Sequence, residues 1–118
     1  MATTVNELAL AINTNVERPN WCLNITSSDL SGGEIIRPAA TKRHSIEKVA
    51  VTYKSGGTHW FKILDGTAEL IGPIVVADGV PWVYMFQRDI FGTPNTNLRI
   101  KTESPGHIHV LIEGFTEN

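Results

Sequence analysis

Between residues 34 and 115 the chain is a series of short apolar runs, interrupted about every ten residues by Gly, Pro, Asn or Asp. The interruptions stand at Ser55-Gly56-Gly57, Asp65-Gly66, Gly72-Pro73, Asp78-Gly79-Val80-Pro81, Gly92-Thr93-Pro94-Asn95 and Ser104-Pro105-Gly106. Each such cluster favours a turn: Gly reaches positive φ without a steric cost, Pro fixes φ, and Asn and Asp bond their own backbone. The runs between them are too short for the crossover helices of βαβ units. The spacing predicts an all-β domain, a jelly-roll-like Greek-key β-sandwich or barrel of about eight strands with a short N-terminal helix or arm. A closed stack of sheets is a scaffold, so function has to be sought on its surface.

The chain has 118 residues, 42% hydrophobic and 19% charged, enough to bury one core without metal or disulfide staples. A net charge of −2 leaves no basic footprint for phosphate backbones, so no direct contact with nucleic acid is expected. The single cysteine, Cys22, has no intramolecular partner and sits between Trp21 and Leu23, which predicts a buried, unreactive thiol. No apolar run approaches the ~20 residues of a membrane span, and Met1-Ala2-Thr3-Thr4 lacks the basic and apolar regions of a secretion signal. Synthesis in a cytoplasm and no membrane partner are the expectations.

Residues 1–33 read as an N-terminal arm, distinct from a sandwich domain over 34–118 within one compact unit. Thr4-Val5-Asn6-Glu7 has the form of a capping box, and Val5, Leu8, Ala9 and Ile12 fall on one helical face, predicting a short helix that ends at Asn13-Thr14-Asn15. A helix this short needs a docking surface, either its own sheet or a neighbouring subunit. After the break at Arg18-Pro19-Asn20, residues 21–26 alternate as a strand and 27–33 form a loop. Further strands are predicted over 34–39, 45–53, 58–64, 68–77, 80–87, 97–103 and 107–115. In the second of these, Val49, Val51 and Tyr53 share a face opposite Lys48, Ala50 and Thr52. Pro cannot donate to a ladder, so Gly72-Pro73 is expected to be the kink where one strand leaves the first sheet for the second, with Asp78-Gly79 closing a tight turn into the next strand.

The most chemically suggestive motif is His107-Ile108-His109-Val110-Leu111-Ile112-Glu113. His-x-His-x-x-x-Glu resembles the first metal motif of cupins, themselves small double-sheet β-barrels. Residues 107, 109, 111 and 113 of a strand share one face, so His107, His109 and Glu113 are candidate ligands for one divalent cation. Against a metal, Ile108, Val110 and Ile112 make the better core face, which turns the histidines to solvent, and only five residues follow Glu113, too few for a second motif. No metal or other cofactor is expected.

No nucleophile elbow, phosphate-cradling loop or paired cysteine cluster is present. Asp65 and Glu69 are close in sequence, but Asp65-Gly66-Thr67 reads as a turn whose Asp accepts backbone N–H groups. No catalytic residue is expected. Trp60, Phe61, Trp82, Tyr84, Phe86 and Phe91 could stack sugars, yet Trp82, Tyr84 and Phe86 share one face of a strand whose other face carries Val83 and Met85. A strand apolar on both faces must be covered twice, once by its partner sheet and once by the N-terminal helix or an adjacent protomer. Val5, Leu8, Ile12, Trp82, Tyr84 and Phe86 are therefore the candidate interface residues.

The order Ile35-Ile36-Arg37-Pro38-Ala39-Ala40, Ile46-Glu47-Lys48-Val49-Ala50-Val51-Thr52, Phe61-Lys62-Ile63-Leu64-Asp65-Gly66, Leu70-Ile71-Gly72-Pro73-Ile74 and the closing strand 107–114 resembles small β-sandwich structural proteins of tailed bacteriophages, namely capsid decoration or cement proteins and related head or tail accessories. The likeness covers about residues 34 to 117 and rests on the order of strands and turns. It implies a non-enzymatic virion protein, made in the host cytoplasm, that sits as a homotrimer on the major capsid protein and ties capsomers together. No catalytic residue is inherited through it.

Overall fold

The protein, seen in a computed structural model, is described over residues 3–7, 21–54 and 57–117. Nine strands form two antiparallel sheets: β1 (Thr4–Glu7), β2 (Trp21–Ser27), β3 (Glu34–Arg37), β4 (His44–Lys54), β5 (Thr58–Asp65), β6 (Ala68–Ala77), β7 (Trp82–Phe91), β8 (Leu98–Thr102) and β9 (His107–Thr116). The first sheet has the order β1-β2-β9-β4-β7 and the second β3-β8-β5-β6. Among the described residues there is no helix.

The pairings are nested. Strand β5 pairs with β6, β4 with β7, β3 with β8 and β2 with β9, all antiparallel. They are also nearly concentric on the Gly66-Thr67 turn: Asp65 faces Ala68, Val49 faces Tyr84, Glu34 faces Ile100 and Leu23 faces Ile112. This is one long hairpin folded over itself into two sheets, the jelly roll that the turn spacing predicts. Gly66, at φ 65°, makes the two-residue turn at its centre possible.

Alternation along each strand decides what enters the core. Trp21, Leu23, Ile25, Ile46, Val49, Val51, Tyr53, Ile108, Val110 and Ile112 of the first sheet meet Ile36, Phe61, Ile63, Ile71, Val76, Leu98 and Ile100 of the second, all buried. The expected inward face of β4 is the observed one. Each fully buried aliphatic or aromatic side chain contributes about 1.5–3 kcal/mol relative to exposure, so this double layer is the main source of stability.

Several expectations are corrected. Thr4–Glu7 is an edge strand and not the first turn of a helix: Thr4 faces Thr26 and Glu7 faces Leu23, so partners on β2 satisfy a backbone that a capping box would have satisfied locally. The remainder of the expected helix, with Leu8 and Ile12, and the break at residues 18–20 lie outside the described residues. Within the expected arm, the strand over residues 21–27 is part of the sandwich: β2 lies between β1 and β9 and, with Leu30, feeds the common core. Gly72-Pro73, a cis peptide, does not carry the chain between sheets. Strand β6 stays paired to β5 on both sides of it, from Asp65–Ala68 to Thr58–Ala77, and the extra residues form a bulge opposite Lys62. The crossing falls at residues 78–81 instead. There Val80 donates to the Ala77 carbonyl at 3.1 Å, while Asp78 and Gly79 donate to the Gly57 and Tyr53 carbonyls at 2.9 Å. That turn delivers the chain to the other sheet rather than closing a hairpin.

Candidate interaction face

The registers of the first sheet fix its outer face rung by rung. Cys22, Glu113, Lys48 and Met85 form one rung, and Asn24, Leu111, Ala50 and Val83 form the next. A third holds Thr26, His109 and Thr52, and His107 stands beside Lys54 beyond it. Among the described residues, strand β7 is an edge of this sheet, paired only with β4. Val83 and Met85 are 57% and 69% exposed, and Leu111 and Ala50 extend the apolar surface inward from them. An edge strand normally carries charges, Pro or a bulge against unwanted pairing. Here Pro81 precedes the strand, and the ladder is broken between Met85 and Ile90, which leaves the apolar segment Trp82 to Met85 as the regular part of the edge.

The other side of β7 faces the second sheet. Trp82 lies opposite Val51 and Tyr84 opposite Val49, so the aromatic row belongs to the rim of the core. Phe61 and Trp82 meet edge to face at 5.5 Å, Trp82 and Tyr84 stack at 5.9 Å with planes 13° apart, and Tyr84 meets Phe86 at 5.0 Å and 65°. Trp82 and Phe86 are half-buried and Tyr84 is half-exposed. The rings spend their faces on one another, and the Lys62 ammonium lies 5.0 Å from the centre of the Trp60 ring. This self-packed ladder is a poor sugar platform, which needs a free ring face. The Thr4–Glu7 strand is at the opposite edge of the sheet from β7, so that part of the chain does not cover Val83 and Met85. Val5, expected on an apolar helix face, is instead a half-exposed residue of that far edge, opposite Ile25.

The cation-site candidates do not converge. His107 and Glu113 are six residues apart on one straight strand, about 20 Å at ~3.3 Å per residue, far beyond a shared coordination sphere. The imidazole of His109 is bonded through Nε2 to Asn24 Oδ1. Glu113 lies in the rung of Cys22 and Lys48, with its Oε1 4.0 Å from the Cys22 sulfur. Among the described residues no three His, Cys, Asp or Glu side chains are placed to hold a metal ion. Cys22 is buried as expected, and burial first, then the Glu113 carboxylate, push its thiol up, with Lys48 opposing. The carboxylates of Asp65 and Glu69 are engaged separately: Asp65 accepts from the Thr93 backbone N–H at 2.9 Å and Thr93 hydroxyl at 2.5 Å, and Glu69 accepts from Lys62 at 3.0 Å. Asp65 thus ties its hairpin to the loop before β8, not to its own turn.

Sequence reasoning missed two features. Leu111 and Ala50 join Val83 and Met85 into one surface only through the β9-β4-β7 register, which no local pattern encodes. His44 is a buried polar group within the core wall. Its Nε2 donates to the Pro38 carbonyl at 2.7 Å, and its Nδ1 accepts from the Thr116 hydroxyl at 2.7 Å, which in turn accepts from Trp21 Nε1 at 3.1 Å. Burial holds this imidazole below its ordinary range, reinforced by Arg37 and opposed by the Pro38 carbonyl and Asp65.

Fold and surface together define a class: an all-β jelly-roll sandwich with exposed apolar residues, Val83 and Met85, on an edge strand. No protein-family model matches the chain, and no curated protein does. Among solved structures it is similar to the N-terminal endo-1,4-beta-D-xylanase 10B of Clostridium thermocellum, CBM22-1 and GH10 modules complexed with xylohexaose. That similarity has a TM-score of 0.41 and 15% identity, and covers 98% of this chain and 24% of the other, so this chain spans about a quarter of that protein's length. A likeness at this level says nothing of what this chain binds.

Proposed function

We propose that the chain is a non-enzymatic virion structural protein, a capsid decoration module that joins protein subunits through the outer face and free edge of β7. The observation that carries the joining role is the exposure of Val83 and Met85, flanked by Leu111 and Ala50, on a strand that, among the described residues, is an edge of its sheet. An apolar patch of this kind is a protein-contact surface in a soluble fold. The major capsid protein as partner, the homotrimer and the virion location rest on the sequence resemblance over residues 34 to 117. A cement protein binds an assembled lattice better than free subunits, and many repeated sites make a modest affinity per contact sufficient.

The test is solution mass by light scattering, followed by co-sedimentation with capsids, for the natural chain and for Val83→Glu with Met85→Lys. Loss of self-association and capsid binding in a variant with unchanged circular dichroism is the expected result; undiminished association and binding would overturn the proposed surface. A glycan-binding accessory is the second reading, favoured by the half-exposed Tyr84 between Trp82 and Phe86 in the aromatic row. Its test is a glycan array, where a hit lost on Tyr84→Ala supports it and an empty array removes it.

A further inference from the structure

We propose a second, chemically distinct site on the outer face of the same sheet: an oxyanion-binding cavity at the end of β2, β9 and β4. A cavity of about 390 Å³ lies there, lined by Thr26, Ser27, Ser28, Thr52, Lys54, His107, Ile108 and His109. Its polar lining is three kinds of group only, hydroxyl, imidazole and ammonium. No carboxylate is among its described lining residues, although the chain as a whole carries more acidic than basic residues.

The sheet sets the spacing. His109 is flanked in register by Thr26 on one side and Thr52 on the other, and His107 is directly opposite Lys54. Directly opposed side chains on neighbouring strands have Cβ atoms about 5 Å apart, and alternate residues along a strand are separated by ~6.6 Å. Lys54, His107, His109 and Thr52 thus form a four-cornered frame of the right size for a phosphate or sulfate group. The Asn24 bond fixes the His109 ring, and because a carbonyl oxygen only accepts, Nε2 carries the proton there. The carboxylate of nearby Asp29 is occupied, accepting from the Ser31 N–H at 2.9 Å and its hydroxyl at 2.6 Å.

Paired imidazoles two residues apart could otherwise suggest a transition metal. An ammonium directly across from His107 opposes a cation, and the third protein ligand is missing among the described residues. The same frame suits an oxyanion, since Lys supplies a full charge and the hydroxyls supply donors. The oxyanion is either free or carried as an ester on a sugar, two sources of one chemistry that the experiment separates.

The experiment is a ¹H–¹⁵N titration of the full chain with sodium phosphate, sodium sulfate and a sulfated monosaccharide, each against sodium chloride at matched ionic strength. Saturable shifts confined to residues 26–28, 52–54 and 107–109, abolished in Lys54→Met and weakened in His107→Gln, are expected. A response to the ester at least tenfold tighter than to the free ions assigns the source as a modified sugar, and equal responses assign the free ion. Shifts that are linear in concentration, spread over the surface, reproduced by chloride or retained in Lys54→Met would overturn the site. So would a zinc chloride titration that saturates at these residues while the oxyanions do nothing.

Discussion

Gly114 is the most tightly enclosed of the described glycines, and replacing it with Ala is a sharp test of the packing described above. It lies on β9 between Trp21 of β2 and Ile46 of β4. A Cβ there would fall 2.0 Å from the Ser45 carbonyl oxygen and 2.7 Å from two carbons of the Trp21 ring. Ordinary contact distances are ~3.5 Å or more, so the methyl needs a displacement of over 1 Å from a backbone atom or a buried ring. Trp21 has no free room: it is 1% exposed, its Nε1 bonds Thr116, His44 meets its edge at 6.4 Å and the Arg37 guanidinium lies 5.3 Å from its centre. If the strands hold and the core merely strains, overpacking costs about 1–3 kcal/mol. If Trp21 is expelled, the loss approaches the ~3–5 kcal/mol of removing a large aromatic from a core. We expect about 3 kcal/mol, a large share of the ~5–15 kcal/mol a domain possesses, and a fall in Tm of roughly 10 °C. Urea unfolding followed by tryptophan fluorescence and circular dichroism measures it. A loss below about 0.5 kcal/mol, the level of an ordinary surface change, would refute the reasoning. Adding Trp21→Phe should recover only part of the loss, since the Ser45 carbonyl remains in the way.

Three other outcomes are expected. Because burial lowers the folded-state value of His44, the unfolded chain takes up its proton first as pH falls below the ordinary histidine range near ~6.5, so stability should decline from pH 7.5 to 5.5. Glu117, held low by Arg43, adds its own loss at more acid pH, and His44→Gln should flatten the upper window alone; an unchanged profile in that variant would count against the assignment. Cys22, buried with its thiol pushed up, should react with a disulfide reagent only at the unfolding rate, and immediate labelling of the native chain would contradict its burial. Of the described residues, removing residues 2 to 16 takes away Thr3 and the exposed edge strand Thr4–Glu7, so circular dichroism should still report a folded sandwich, whereas capsid binding is expected to be lost if the arm contributes to it.

How far the fold was legible depends on whether the signal was local. Alternation in Val49, Val51 and Tyr53, and in Ile108, Val110 and Ile112, names the core faces because a strand's period is visible within five residues. Thr4–Glu7 misled because a capping box is also four residues of good edge strand, and only the presence of β2 alongside decides between them. Gly72-Pro73 correctly marked an irregularity, but whether a bulge stays in its sheet is fixed by the strand next to it. The same limit applies to the surface. Val83 and Met85 were visible as an excess of apolar side chains, while the neighbours that turn them into a patch, and the rung that places Lys54 beside His107, depend on register between strands distant in sequence.

The nested, concentric pairing also sets the order in which the chain can complete itself during synthesis. The central hairpin needs only its own residues, but Leu23 must wait for Ile112, and β2 and β4 are both held by β9, which is made after either of them. At ~5–20 residues per second, Trp21, Leu23 and Ile25 stay without their β9 partners for several seconds after translation has passed them. Loss of β9 would separate β2 from β4 in the middle of the first sheet. Strand β9 therefore acts as the closure of the whole roll, and a product lacking it would emerge as an open, adhesive intermediate and not as a slightly smaller domain.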